Sequence, residues 1–188
     1  MNFIHRRLCR SARWNNVLKQ FVVPWVLDEV NLGDNVLEVG PGPGLTTDLL
    51  RAKVSHLTAL EIDAEMAQAL TERLQATNVK VVRGDATAMR FEDDKFSGAV
   101  SFTMLHHVAS PALQDKLLRE VRRVLAPGGV FAGTDSLMSW SMHLIHIFDT
   151  LTPVDPKSFG ARLEAAGFEN VLVETNPYAF RFRATKPA

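Results

Sequence analysis

Short apolar runs alternate with longer amphipathic stretches from residue 35 onward, and this alternation limits the possible folds more than any other feature of the chain. Five apolar runs are predicted strands: 36–39, 57–60, 79–82, 98–102 and 130–133. The predicted helices between them are 47–53, 64–74 and 111–125. Strands and helices that alternate at this spacing indicate a parallel sheet covered by helices on both faces. Strands that are almost entirely apolar are typical of a sheet buried in this way.

The last part of the chain has a different pattern. Residues 156–166 are predicted to form a helix that Gly167 ends, because glycine adopts the conformation that closes many helices. The runs 171–174 and 179–183 are predicted strands, with too few residues between them for a crossover. A connection this short permits only an antiparallel hairpin. We therefore expect a mostly parallel sheet with an antiparallel edge.

Composition restricts the class of protein. A length of 188 residues and an apolar fraction of 46% predict one globular domain spanning 1–188. Basic and acidic residues balance at 21 each, whereas nucleic-acid binders usually show a basic excess. Cys9 is the single cysteine, which excludes an intrachain disulfide and a cysteine-rich zinc site. No apolar run is long enough to cross a bilayer, and we expect a reducing, cytoplasmic setting.

The amino terminus is basic, since its first acid is Asp28. Arginine-rich, acid-poor termini can be transit peptides. We favour a surface helix with its arginines facing outward and an apolar face inward. A third alternative is a lid over a binding pocket, so residues 1–30 are predicted to be a helical cap or lid. The basic residues are Arg6, Arg7, Arg10, Arg13 and Lys19, and the predicted inward face is Leu8, Val17, Leu18, Phe21 and Val22.

A glycine-rich loop follows the first predicted strand, where residues 38–44 read EVGPGPG. Ligands of open α/β sheets bind at the carboxyl ends of strands, and glycine lets a ligand approach the backbone. The dinucleotide fingerprint G-x-G-x-x-G fails here at its third glycine. Glu38 lies two residues before Gly40, where a carboxylate would repel a pyrophosphate and attract an ammonium group. The loop therefore favours a cationic, non-phosphorylated nucleoside.

Two further acids follow the next two strands. Glu61 ends the second strand, and a carboxylate can accept hydrogen bonds from both hydroxyls of a ribose. Asp85 follows the third strand and could accept from an exocyclic amine such as that of adenine, or could simply cap a turn. Asp63 is predicted to cap the following helix. Glu38, Glu61 and Asp85 lie at the ends of three successive strands. Their occurrence together makes a role in turns or helix caps alone a weaker explanation for each of them.

The glycine loop and the acids that follow it, taken in their order along the chain, resemble the motifs of the class I S-adenosylmethionine-dependent methyltransferases. The resemblance is to the broad, type 11-like group of small enzymes that methylate metabolites. The resemblance spans residues 25–186. Besides the glycine loop and the acids, the segments that carry it are 96–108, 120–129 and 180–186. It implies an α/β fold, a doubly wound Rossmann-like three-layer sandwich. Its sheet would have seven strands, mostly parallel, with an antiparallel C-terminal edge hairpin.

The resemblance also implies S-adenosyl-L-methionine as the cofactor and S-adenosyl-L-homocysteine as the product. The loop would hold the amino-acid part of the cofactor, Glu61 its ribose and Asp85 its adenine, while the end of the fourth strand would border the transferred methyl. The residues that the resemblance assigns to the cofactor are Glu38, Gly40, Pro41, Gly42, Gly44, Glu61, Ile62, Met66, Asp85, Ala86, Ser101, Phe102 and Thr103.

Methyl transfer requires no enzyme nucleophile, so alignment of the reactants supplies most of the rate. An alcohol or phenol acceptor would also lose a proton, and His106 and His107 are the candidate catalytic bases, although both could be structural. His143 and His146 have a spacing that suits a metal, but no third ligand is evident, so we predict no metal site. The short insertion 136–153 is predicted to pack on the core or to lie near the acceptor pocket.

Three functions compete. We favour transfer of a methyl group to a small molecule by in-line displacement, with no nucleic-acid acceptor. Residues 36–50 and 60–63 also resemble the ribosomal RNA adenine dimethyltransferases, but residues 101–104 read SFTM where that family has Asn-x-Pro-aromatic. The third alternative is a cofactor-binding protein without catalysis, or an oxidoreductase, which the loop spacing disfavours. The sequence determines neither the acceptor atom nor the oligomeric state.

Overall fold

A computed structural model describes residue 7 and residues 11–188 of the chain. Strands and helices alternate through the first two thirds, as the apolar pattern predicts. The strands are β1 Asn35–Val39, β2 His56–Glu61, β3 Val79–Arg83, β4 Phe96–Phe102, β5 Leu125–Ser136, β6 Glu169–Thr175 and β7 Ala179–Thr185. The α-helices are α1 Ala12–Val17, α2 Val23–Val26, α3 Leu45–Leu50, α4 Ala64–Arg73, α5 Pro111–Val124, α6 Trp140–Ile145 and α7 Pro156–Ala165.

The sheet has the order β3-β2-β1-β4-β5-β7-β6. Strands β1 to β5 pair in parallel, whereas β7 is antiparallel to both β5 and β6. The prediction of a mostly parallel sheet with an antiparallel C-terminal edge is therefore confirmed. The chain runs outward from β1 to β3 and then returns to the other side of β1 with β4. This reversal opens a crevice between the carboxyl ends of β1 and β4, the position where doubly wound sheets bind ligands.

Apolar side chains fill both faces of the sheet. One cluster joins the sheet to α5 and α7 through Leu117, Leu163 and the rings of Phe131, Phe159 and Phe182, in which the ring of Phe182 meets the other two edge to face. The other cluster packs β1 and β4 against α2 and α3. Burial on both faces accounts for strands that carry few polar residues.

The junction between α5 and β5 differs from the prediction. The sequence predicts a helix over 111–125 and a strand that begins at 130, but α5 ends at Val124 and β5 begins at once with Leu125, so that the strand includes Pro127, Gly128 and Gly129. The pairing with β4 shifts between Phe96–Leu125 and Gly98–Val130, so the proline and glycines form a bulge within β5. Glycine tolerates the irregular backbone of a bulge, which explains why these residues interrupt the register rather than the strand.

The amino-terminal helix corrects one expectation. Leu18 is buried and Val17 and Val22 are half-buried, but Phe21 is 65% exposed. Residues 18–22 form a π-helix just before Pro24, which has no N–H for a regular helical bond. The wider turn rotates Phe21 toward solvent. Leu8 and Cys9, with Arg6 and Arg10, lie outside the described residues, whereas Arg7, Arg13 and Lys19 are exposed as predicted.

Candidate functional site

A cavity of about 430 Å³ opens at the carboxyl ends of the parallel strands. Its size is within the range typical of small-molecule sites. The loops after β1, β2, β3 and β4 form its walls, and side chains of α1 and α5 also line it. The lining residues that the following paragraphs use are Trp14, Leu18, Gly40, Gly42, Glu61, Ile62, Met66, Asp85, Thr103, His107, Leu113, Leu117, Asp149 and Thr150.

The glycine loop turns the chain from β1 into α3 through three left-handed residues. Gly40, Gly42 and Gly44 have φ angles of 70°, 54° and 84°. Gly44 is the residue that caps α3, and side chains of α4 occupy the space beside it. A Cβ on Gly42, by contrast, would meet no atom within 4 Å among the described residues. Gly42 therefore leaves open space on the cavity side, where a ligand can contact the backbone.

Glu38 lies behind this loop rather than in the cavity wall. Its carboxylate is buried and accepts hydrogen bonds from the hydroxyls of Thr46 and Thr47, the latter at 2.6 Å. Burial raises its pKa from 4.5 to about 7, although the two hydroxyls oppose the shift. Glu38 thus joins β1 to the first turn of α3 and fixes the shape of the loop from behind.

Glu61 connects the loop to the end of β2. One carboxylate oxygen accepts from the N–H of Gly42 at 3.0 Å, and the other accepts from the N–H of Asp63 at 2.9 Å. The side chain lines the cavity and is only 6% exposed. A carboxylate has about four acceptor positions, so two remain for ligand hydroxyls. The geometry fits the assignment of this residue to a ribose.

The remaining cofactor candidates on this side form an apolar slot beside an acid. Ile62 is 65% exposed at the rim, and Met66 lies buried beneath it. Asp85 lines the cavity while one of its oxygens accepts from the N–H of Thr87 at 2.7 Å. Asp63 caps α4 through the N–H groups of residues 65 and 66, which confirms its predicted role.

The structure brings most of the predicted cofactor residues to this cavity and leaves three behind its wall. Glu38 and Gly44 support the loop without lining the cavity, and Ser101 is completely buried in β4. The hydroxyl of Ser101 has no hydrogen-bond partner among the described residues. The residues that do line the cavity are Gly40, Pro41, Gly42, Glu61, Ile62, Met66, Asp85, Ala86, Phe102 and Thr103. Contact of each with a cofactor stays a prediction.

Both candidate bases lie on a 3-10 turn after β4, but only one of them lines the cavity. His107 lines the cavity. His106 is buried, and its Nδ1 lies 2.5 Å from Asp135, which also accepts the backbone N–H of His106 at 3.0 Å. Asp135 therefore fixes the orientation of His106 from the end of β5. His106 and His107 are neighbours, with ring centroids 4.2 Å apart.

Several side chains of this region are not predicted from the sequence. Trp14 and Leu18 bring the amino-terminal helices over the cavity, and Leu113 and Leu117 reach it from α5. Their helical spacing indicated an apolar face but not which element that face covers. Asp135 could have been suspected, because an acid at the end of an apolar strand is expensive to bury without a partner. His146 was considered only with His143, whereas its ring lies 4.9 Å from that of His106.

Across residues 11–188, no helix combines the length and the apolar character needed to span a membrane.

Comparison with known proteins places this geometry in a family. A family model described as "Methyltransferase domain" matches residues 37–133, more than half of the chain. A curated relative, the probable ribosomal RNA small subunit methyltransferase A of Methanothermobacter thermautotrophicus, is 29% identical over 187 residues. That alignment covers 93% of this chain and 66% of the relative. Over the first curated relatives, this chain spans between about a quarter and two thirds of their length.

Solved structures agree on the fold. A protein from Pyrococcus horikoshii has a TM-score of 0.80 at 16% identity, with 95% of this chain and 93% of that one aligned. A phosphoethanolamine N-methyltransferase of Haemonchus contortus, solved with phosphomonomethylethanolamine and S-adenosylhomocysteine, has a TM-score of 0.73 at 16% identity. The alignment covers 95% of this chain and 53% of that enzyme. The family match, with a seven-stranded sheet of this topology, confirms the resemblance read from the sequence: the chain belongs to the methyltransferase-domain family, in the class I S-adenosylmethionine-dependent group.

Proposed function

We propose that this chain binds S-adenosyl-L-methionine and transfers its methyl group to a small-molecule acceptor. The observation that carries the proposal is the cavity at the crevice between β1 and β4, where Gly42 leaves the backbone open and Glu61 lies beside it. An acidic, non-phosphate-binding cradle suits a ligand that carries a sulfonium and an ammonium group.

The cavity residues account for each part of the cofactor. Glu61 would accept from the ribose hydroxyls with the acceptor positions that Gly42 and Asp63 leave free. The adenine would cover Ile62, whose exposure at the rim is otherwise unfavourable, with its exocyclic amine toward Asp85. The amino-acid part would lie along the glycine loop, and the buried Glu38 would favour its ammonium group through the field behind the loop.

The reaction itself needs alignment more than chemical groups. A lone pair of the acceptor attacks the methyl carbon as the carbon–sulfur bond breaks, and the bonding pair leaves with sulfur as S-adenosylhomocysteine. An acceptor that is an alcohol, phenol or thiol also gives up its proton. His107 is the cavity residue that we assign to this step, and His106 is its neighbour, positioned by Asp135.

The parts of the chain that close the cavity support a small acceptor. Trp14 and Leu18 cover it from residues 1–30, which we propose act as the predicted cap or lid. Asp149 and Thr150 bring the insertion 136–153 to the same cavity, and we propose that this insertion borders the acceptor. A covered cavity of about 430 Å³ suits a metabolite better than a base within a folded RNA.

Ribosomal RNA is the second candidate acceptor, because the curated relative from Methanothermobacter carries that activity in its name. A transfer assay with methyl-labelled cofactor decides between the two. The chain is incubated with a metabolite extract in one arm and with small-subunit ribosomal RNA in the other. We expect label in the low-mass fraction. Label that enters only the RNA would overturn the proposed acceptor, and label in neither would leave the chain a cofactor-binding protein.

The cofactor site has its own test in Glu61→Ala. Loss of hydrogen bonds to a charged group costs about 1–3 kcal/mol, so the affinity for S-adenosylhomocysteine should fall by about 5- to 150-fold in calorimetry. Glu65→Ala, an exposed acid on the first turn of α4, is the matched control and should bind as the unaltered chain does. Equal affinity in both variants would remove Glu61 from the ribose site.

A further inference from the structure

Three histidines from two separate parts of the chain meet beside the cavity. His106 and His107 follow β4, whereas His146 lies just beyond α6 in the insertion. Each offers one ring nitrogen, and these three nitrogens lie within 4.8 Å of one another. His106 and His146 are buried, with rings 4.9 Å apart, and the ring of His107 is 5.1 Å from that of His146.

Hydrogen bonds of two of the three rings determine which ring nitrogen carries the proton. Nδ1 of His106 lies against the buried carboxylate of Asp135, and Nδ1 of His146 lies 2.7 Å from the carbonyl oxygen of Met142. Both partners are acceptors, so each Nδ1 carries the proton and each Nε2 presents a lone pair. Nε2 of His106 is buried with no hydrogen-bond partner among the described residues. A buried lone pair without a partner is unfavourable, and a cation bound to this nitrogen would offset the cost.

A carboxylate or carbonyl oxygen lies behind two of the three imidazoles, those of His106 and His146, and such an oxygen orients a histidine toward a metal. From these contacts we infer that His106, His107 and His146 bind one divalent transition-metal ion, with Zn²⁺ as the best match to a set of neutral imidazoles. Tetrahedral zinc with bonds of about 2.0–2.1 Å would bring the nitrogens to about 3.4 Å from one another. Small rotations of the rings, mainly that of His146 on its insertion, would close the remaining distance.

Three protein ligands leave the fourth position of such a site open. His107 lines the cavity, so that position would face the space where the acceptor binds. This part of the inference rests on the proposed function: an acceptor oxygen, nitrogen or sulfur would bind the ion, and its proton would then be lost to water more readily because the ion lowers its pKa. With the ion bound, His107 would act through the ion, and this role would replace the direct acceptance of the proton assigned to it above.

The test is a metal titration of the full chain after chelator treatment. Co²⁺ is added while the visible absorption of tetrahedral cobalt is followed, and Zn²⁺ is then added to displace it. We expect one equivalent per chain and complete displacement. Absence of stoichiometric binding in the unaltered chain would overturn the inference without recourse to any variant.

Two histidines of one segment supply the matched comparison. His146→Ala removes a proposed ligand, whereas His143→Ala alters an exposed histidine whose Nδ1 faces the carbonyl oxygen of Ser139. We expect His146→Ala to weaken cobalt binding by about 100-fold or more, and Asp135→Asn to weaken it by about 10- to 100-fold. The His143→Ala chain should bind as before. Equal affinity in the His146→Ala and His143→Ala chains would contradict the inference.

The same samples separate this inference from the proposed function. S-adenosylhomocysteine binding is measured on the metal-free chain, and methyl transfer on the metal-free and metal-loaded chains. Metal binding at the cluster without any methyl transfer would uphold the site and overturn the proposed function. Methyl transfer by a chain that binds no metal would do the reverse.

Discussion

The carboxyl ends of the parallel strands, here called the carboxyl edge, and their amino ends, here called the amino edge, differ in how their polar side chains are paired. At the carboxyl edge, Ser101 and Nε2 of His106 are buried with no hydrogen-bond partner among the described residues, and burial raises the pKa of Glu38 to about 7. At the amino edge, the hydroxyl of Ser97 lies 2.8 Å from the carbonyl oxygen of Leu32 and 3.0 Å from the N–H of Asn35. Buried polar atoms at the carboxyl edge are therefore left for a ligand to bind, whereas the polar side chain at the amino edge is paired within the fold.

Arg123 shows how completely the amino edge is paired. Its guanidinium donates to the carboxylates of Glu120 and Asp93 and to the carbonyl oxygens of Met89 and Phe91. The same Glu120 accepts the N–H of Met89 at 2.7 Å. This network fastens the end of α5 to the loop that leads into β4.

The unpartnered buried polar atoms at the carboxyl edge indicate that a ligand binds there. An unpartnered buried group costs about 1–3 kcal/mol, so a fold tolerates several at one place only when something offsets the cost. Variants test this difference. Substitutions at the carboxyl edge should change ligand binding, and substitutions at the amino edge should change only the stability of the fold.

The largest effect is expected from leucine at Gly42. Gly42 and Gly128 both have positive φ, and a Cβ on either would meet no atom within 4 Å among the described residues. They differ in position, because Gly42 lines the cavity and Gly128 lies in the β5 bulge at the amino edge. Gly42→Leu should weaken S-adenosylhomocysteine binding by about 1,000-fold, or about 4 kcal/mol, because the side chain would fill the cradle.

Gly128→Leu is the control for this variant. Both substitutions carry a left-handed backbone cost of about 1–2 kcal/mol, which denaturant unfolding should report for each. Only Gly42→Leu should lose the ligand in calorimetry. Equal loss of affinity in the two chains would show that backbone strain, and not the cradle, governs binding.

A smaller effect should come from Glu38→Gln. The pKa of Glu38 is about 7 in the folded chain, above its ordinary value of 4.5. Between these values the folded state holds a proton that the unfolded state has released, so this residue lowers stability as the pH rises. The contribution is lost between pH 4.5 and 7 and amounts to about 3 kcal/mol.

Urea unfolding at several pH values checks this expectation. Glu38→Gln cannot titrate, so its stability relative to the unaltered chain should improve by about 3 kcal/mol from pH 4.5 to 8. Parallel pH profiles for the two chains would mean that Glu38 has the same pKa in the folded and unfolded states, which would contradict the expectation.

The smallest effect, of opposite sign, should come from Glu120→Gln at the amino edge. Hydrogen bonding to Arg123 holds the pKa of Glu120 below its ordinary value of 4.5. Its contribution is therefore present above that value and is lost as the pH falls through the lowered pKa in the folded chain. We expect Glu120→Gln to lose about 1 kcal/mol of stability at pH 7 and to bind S-adenosylhomocysteine normally. A weakened affinity would show that the two edges are coupled.

The order of the elements could be predicted from the sequence because it follows from local signals. Apolar runs predict most strands to within one or two residues, and the predicted start of the helix at residue 111 is the observed start of α5. Predictions failed where a distant contact decided the outcome. The bulge at Gly128 depends on pairing with β4, and the exposure of Phe21 depends on a π-helix before Pro24.

The candidate site divides in the same way. Strand ends placed Glu61 and Asp85 at the cavity, because the topology alone brings parallel strand ends together. The burial of Glu38 behind Thr46 and Thr47, and the meeting of His146 with His106, depend on side-chain packing between segments far apart in the chain. No spacing within a single segment encodes such a contact.

Calorimetric titration of the unaltered chain distinguishes a site for S-adenosylmethionine from a site for a dinucleotide. S-adenosylhomocysteine and NAD⁺ share an adenosine, but only the second carries a pyrophosphate, which the acidic loop should repel. We expect micromolar binding of S-adenosylhomocysteine at one equivalent per chain and no measurable heat with NAD⁺. Binding of NAD⁺ without binding of S-adenosylhomocysteine would contradict it.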